Sequence, residues 1–283
     1  MKFSIVLSVQ QAHFEAVAYK GDFEHNVARI AELGYDGVEL AIRDPSQVDA
    51  DALLAVVGRY GLEVPAIGTG QAWGEEGLSF TDPDPAVREA AVRRAIAHIP
   101  FAARTGAVII IGLLRGVVRE EAGVTHEQAM AWLVEALQRC AEAAAPHGVR
   151  FALEPLNRYE TGLIHTVAEG LALVERVGAD NFGLLLDTFH MNIEEPDIAA
   201  AIRQAGERLF HFHVADSNRW YPGAGHIDFP ALLAVLEEMG YAGYVSGEFM
   251  PLPDADTAAA RAIVYLREAA AAATGKPVEG GHP

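Results

Sequence analysis

The sequence predicts a single (β/α)8 barrel, and three observations predict it. Short apolar runs of β type alternate with longer helical patterns eight times along the chain. The runs carry Val, Ile and Leu at successive positions, as strands buried on both faces require. The length of 283 residues is close to the ~250 typical of one such barrel.

The first strand is expected at 3–9. Lys2 ahead of an apolar run resembles the start of an export signal, but the run is short, Ser4 and Ser8 interrupt it, and no small-residue cleavage site follows. The remaining strands are expected at 37–41, 63–68, 107–112, 150–154, 183–187, 209–214 and 244–248. The helices between and after them fall at 26–33, 52–59, 87–104, 126–145, 167–177, 198–204, 229–239 and 257–273. Gly34, Gly61, Gly106, Gly148, Gly178 and Gly240 each stand just past a helical stretch, where a left-handed residue ends the helix. Residues 1–274 thus form one expected catalytic domain. Residues 275–283, rich in Gly and Pro, read as a frayed tail.

The formal net charge is −18, which repels polyanions and argues against nucleic acid as a partner. No run approaches the ~20 apolar residues that span a bilayer. Cys140 is the sole cysteine, so no intrachain disulfide can form, and a cytoplasmic location is expected.

In a barrel of this kind chemistry sits at the C-terminal ends of the strands. Four consecutive strands end in or near such a residue: Glu154, Asp187, His213 and Glu248. Three converging carboxylates repel one another unless a cation joins them. Three oxygen donors and one imidazole suit Mn²⁺, Mg²⁺ or Co²⁺ better than a thiolate-loving metal and leave positions open for substrate oxygens; Mn²⁺ is the ion expected. His211 shares a strand face with His213 because the side-chain period is two. It is expected to fill the barrel interior or to support a ligand from behind. Arg43 and Arg115 follow the second and fourth strands. Either is placed to meet a substrate carboxylate or to form a structural salt bridge. The glycines of Gly68-Thr-Gly-Gln71 suit close approach to substrate, or a plain turn.

Three long segments carry a resemblance: Glu154-Pro-Leu-Asn-Arg-Tyr-Glu160, Asp187-Thr-Phe-His-Met-Asn-Ile-Glu-Glu195 and His211-Phe-His-Val-Ala-Asp-Ser-Asn-Arg219. They resemble the D-tagatose and D-psicose 3-epimerases of the xylose isomerase-like TIM-barrel superfamily, as does the spacing of the four candidate ligands. The resemblance implies one divalent ion and a keto sugar or sugar acid as the small-molecule partner. It implies catalysis by Glu154 and Glu248, which exchange a proton on opposite faces through a cis-enediolate. It also implies substrate orientation by Glu160, His190 and Arg219, and a homodimer or homotetramer. The lesser alternative for Arg219 is a rim ion pair.

Further segments, Ala41-Ile-Arg-Asp-Pro-Ser46, Ala66-Ile-Gly-Thr-Gly-Gln-Ala72, Ile109-Ile-Ile-Gly-Leu-Leu-Arg-Gly116 and Ser217-Asn-Arg-Trp220, resemble the branch that converts 5-keto-L-gluconate to D-tagaturonate. A neutral ketose is the first rival substrate and hydroxypyruvate isomerisation the second. A DNA-repair endonuclease of the same fold would need a basic face and more metal ligands than this chain offers.

Overall fold

The computed structural model describes residues 1–274, so the tail expected at 275–283 lies outside the described residues. Nine strands form one parallel sheet: β1 (Lys2–Ser8), β2 (Tyr19–Lys20), β3 (Gly37–Ala41), β4 (Ala66–Gly68), β5 (Val108–Ile111), β6 (Arg150–Leu153), β7 (Phe182–Asp187), β8 (Leu209–Val214) and β9 (Tyr244–Gly247). β1 pairs with both β3 and β9, which closes eight of them into a barrel; β2 is a two-residue flank on β1. The helices are α1 (Phe23–Glu32), α2 (Ala50–Arg59), α3 (Gln71–Glu76), α4 (Pro85–Ala97), α5 (Ile99–Thr105), α6 (His126–Ala144), α7 (Val167–Val177), α8 (Thr188–Glu194), α9 (Ile198–Ala205), α10 (Phe229–Glu238) and α11 (Ala255–Thr274).

Period two divides β1 between two environments. Phe3, Ile5 and Leu7 join the large core shared by sheet and helices, whereas Ser4, Val6 and Ser8 lie on the other face. A separate small cluster of Ala66, Val108, Ile110, Ala152 and Leu185 fills the interior toward the N-terminal ends of the strands. The barrel is therefore packed below and polar above. Among the described residues no helix is long and apolar enough to cross a membrane.

Local chemistry explains where elements depart from expectation. The helix expected at 87–104 is two helices, because Pro100 offers no N–H and restarts the chain in the first turn of α5. The strand expected at 63–68 shortens to Ala66–Gly68. Pro65 cannot donate to a neighbour, and only an isolated bridge between Gly37 and Glu63 precedes it. The six glycines expected to end helices all have positive φ, from 65° to 86°. β2, α3 and α8 are not foreseen; each is too short to show a period.

Candidate active site

Four neighbouring strands deliver the expected quartet to one point. Asp187 and His213 are register partners across β7 and β8, and Glu154 and Glu248 follow directly on β6 and β9. His213 Nδ1 lies 4.0 Å from Glu154 Oε1, 4.0 Å from Asp187 Oδ2 and 3.8 Å from Glu248 Oε2. Donors ~2.1 Å from a common ion and well spread in angle stand about 3–4 Å apart. Glu154 Oε1, Asp187 Oδ2 and His213 Nδ1 are all buried without a hydrogen-bond partner. Unpartnered buried acceptors are costly, and three facing one centre fit a divalent cation.

The electrostatics point the same way. Burial, and next the Glu248 charge, hold the Glu154 carboxyl well above its usual range. Burial lifts Glu248 to about 7, with Asp187 and Glu39 adding to it against His213 and Arg219. Burial also raises Asp187. Burial by itself would lower the His213 imidazole, yet Glu39 and then Glu248 raise it well above normal. All four shifts favour positive charge at the centre.

The support behind His213 is a residue sequence reading did not single out. Glu39, on β3, crosses the barrel interior and is 1% exposed. Its carboxylate accepts His211 Nε2 at 2.8 Å and His213 Nε2 at 3.0 Å. A carboxylate only accepts, so both rings carry their proton on Nε2, and His213 turns Nδ1 to the cluster. His211 is thus a backing residue, one of the two places sequence reading allowed it. An acid in mid-strand among apolar neighbours was the available signal for Glu39.

Asp187 performs two tasks. Its Oδ1 accepts the Phe189 N–H at 2.7 Å and caps α8, while Oδ2 faces the cluster. α8 carries His190, whose Nδ1 accepts from the Asn157 backbone N–H at 3.3 Å and from Asn157 Nδ2 at 2.8 Å. The ring proton therefore sits on Nε2, which lies 3.6 Å from Glu154 Oε1. Burial, then Arg219, pushes His190 well below its ordinary pKa and keeps it neutral. Arg219 adopts φ 62°, a strained left-handed turn. Asp216 secures that turn by accepting the N–H groups of Ser217, Gly223 and Ile227. The Arg219 guanidinium meets Glu160 at 2.9 Å, stands 3.8 Å from Glu248, and lies over the rings of Phe14 and Phe189.

These groups line a cavity of about 330 Å³, within the small-molecule range. Its polar lining includes Glu154, Glu160, His190, His213, Arg219 and Glu248. Phe14, Trp73, Leu113 and the Gly68–Gln71 turn complete the wall. Gly112 also lines it; a Cβ there would come within 3.1 Å of Glu154 Oε2.

The two arginines expected to greet a carboxylate are placed otherwise. Arg115 does not line the cavity. It is fully buried, with its donors on the carbonyls of Gly112, Leu163, Ile164 and Ile111, where it pins a loop whose Ile164 has φ 56°. A guanidinium at the start of a rim loop can fold inward onto free carbonyls, and this one does. Arg43 lies outside the cavity lining too. Its Nε is 3.3 Å from Glu76 and its Nη1 donates to the Gln11 carbonyl, the structural salt bridge that the sequence left open.

A family model described as xylose isomerase-like TIM barrel matches residues 27–269. The chain is similar to L-ribulose 3-epimerase of Methylomonas sp. (strain DH-1), 33% identical over 239 residues and covering 82% of each chain. It is similar to L-ribulose 3-epimerase of Mesorhizobium japonicum, 34% identical over 235 residues and covering 83% of this chain and 78% of the relative. Its fold superposes on D-psicose 3-epimerase of Clostridium cellulolyticum H10, solved with D-tagatose, with a TM-score of 0.82 at 27% identity, over 95% of this chain and 99% of that one. With a closed parallel barrel and relatives spanning most of its length, the chain belongs to the xylose isomerase-like TIM barrels and, among them, to the ketose 3-epimerase family of carbohydrate isomerases.

Proposed function

We propose that this protein is a metal-dependent epimerase that inverts the carbon beside the ketone of a keto sugar acid, converting 5-keto-L-gluconate to D-tagaturonate. The observation that carries the reaction type is the convergence of Glu154, Asp187, His213 and Glu248 with three unpartnered donor atoms. A divalent ion held by these four, Mn²⁺ by preference, would act as a Lewis acid toward the ketone and neighbouring hydroxyl oxygens.

Glu154 and Glu248 stand on strands separated by β7 and β8, so they approach the cavity from different sides. One takes the proton from carbon, the C–H electron pair passing toward the ketone oxygen, and the other returns a proton to the opposite face. His190 presents an Nε2–H donor to a substrate oxygen. The Glu160–Arg219 pair offers an acceptor and donors beside it. Phe14, Trp73 and Leu113 exclude water from the exchanged proton.

The acid substrate is supported by the segments that resemble the keto-acid branch. They contribute Ala41, the Gly68–Gln71 turn, Gly112, Leu113 and Arg219 to the cavity wall. Two observations favour a neutral ketose instead: Arg43 and Arg115 are both engaged away from the cavity, and the relatives described above are named for L-ribulose and D-psicose. Paired assays with 5-keto-L-gluconate and D-psicose decide between them. Faster turnover of D-psicose would reject the acid. Chelation should abolish activity and Mn²⁺ or Co²⁺ should restore it; activity that survives chelation would reject the metal mechanism.

A further inference from the structure

Gln71 occupies a position that the two-base chemistry does not use. It opens α3 just after β4, is 6% exposed and lines the cavity. Counting barrel strands from β1 without the β2 flank, β4 is third and β8 seventh, diametrically opposite places in a ring of eight. His213, on β8, belongs to the cluster that would meet the ketone in the reaction proposed above. Gln71 accordingly stands against the half of the substrate remote from it.

The orientation of its amide is fixed by a chain of bonds. The Gln10 carbonyl can only accept, and it takes the Ser8 hydroxyl proton at 2.5 Å. Ser8 Oγ is then left to accept, and it receives Gln71 Nε2 at 2.8 Å. The amide cannot be reversed without setting two oxygens against each other. That leaves Gln71 Oε1 as a buried acceptor with no partner.

We propose that Gln71 Oε1 receives a hydroxyl proton from the part of the sugar remote from the ketone, and that it is a specificity-determining residue for this enzyme. The proposal rests on the ketose-epimerase reading above, but not on the choice between acid and neutral substrate. A lone acceptor oxygen repels a carboxylate, so in a keto-hexonate Gln71 faces one of the hydroxyls and not the acid group. An analogue lacking that hydroxyl leaves Oε1 buried and unsatisfied, which the site penalises.

The test uses D-psicose and its 4-deoxy, 5-deoxy and 6-deoxy analogues with the wild type, Gln71→Met and Gln71→Glu, all metal-loaded. In the wild type one analogue should be roughly three- to tenfold poorer in kcat/KM, chiefly through KM. Gln71→Met should erase that one penalty and leave the other two ratios unchanged. Gln71→Glu, which keeps an acceptor oxygen once the Ser8 hydroxyl turns its proton from the Gln10 carbonyl to the new carboxylate, should retain it. An equal pattern in Gln71→Met and wild type would overturn the assignment. So would a parallel collapse of all three ratios, as a merely structural residue would give. Should Gln71→Met not fold, the wild-type series still decides, since the absence of any selective penalty defeats the proposal. Failure of the wild type to turn over either D-psicose or 5-keto-L-gluconate would instead remove the epimerase reading itself.

Discussion

Glu39→Gln should weaken divalent-metal binding although Glu39 is not among the four candidate ligands. The native carboxylate accepts one proton from each of two imidazoles, at 2.8 and 3.0 Å, in a site closed to water. Charged acceptors contribute about 1.5–3 kcal/mol per bond, against about 0.5–1.5 kcal/mol for neutral ones. Glutamine therefore loses ~1 kcal/mol or more at each imidazole, and its NH₂ group has donors that no nearby N–H can accept. The part felt at His213 passes to the ion, because a less anchored and less basic Nδ1 is a poorer ligand. Loss of such a backing group typically costs ten- to a hundredfold in affinity, equivalent to about 1.4–2.7 kcal/mol. Calorimetric titration of metal-stripped protein with Mn²⁺ measures this directly. His211→Asn, which removes one of the two imidazoles held by Glu39 and an edge-on ring contact with His213 but leaves the Glu39–His213 bond in place, should give a smaller loss in the same assay. An unchanged dissociation constant in Glu39→Gln would refute the reasoning, since it would mean that the Nε2 contact does not govern the ligand.

Gly112→Ala should cut activity while leaving the melting temperature nearly unchanged, because its Cβ would crowd Glu154 Oε2 at 3.1 Å and push that carboxylate a few tenths of an ångström; undiminished kcat would show that the carboxylate has room to spare. Arg115→Met should destabilise the fold by about 2–4 kcal/mol by stranding buried carbonyls, read as a lower denaturation midpoint; a stable variant with a raised KM for the keto acid would return Arg115 to the substrate. Glu154→Gln and Glu248→Gln should each lower kcat at least ~100-fold with the fold retained, and solvent-deuterium incorporation at the substrate carbon should disappear. Substantial turnover in either variant would break the two-base scheme.

The barrel was legible because its signals repeat. Eight alternations and six helix-ending glycines reinforce one another, so errors at single boundaries do not change the topology. The carboxylate–imidazole cluster was legible for a related reason: strand-end position is a topological property, and a parallel barrel gathers its strand ends at one mouth. Glu39 and Gln71 escaped because their importance lies in contacts across 174 and 63 residues of chain, which no local pattern encodes. Arg115 is the converse case. Its place at the rim was inferred from chain position alone, whereas its direction is set by the carbonyls of Leu163 and Ile164, some fifty residues away.

Asp187 ties two parts of the molecule into one mechanical unit. One oxygen grips the first turn of the helix that bears His190, while the other faces the shared centre of charge. Seating an ion there would stiffen the aspartate and, through it, that helix. His190 would then be aligned before any sugar arrives. Metal loading and readiness for substrate become a single event, so a protein stripped of its ion should lose grip on the sugar as well as the capacity to transform it.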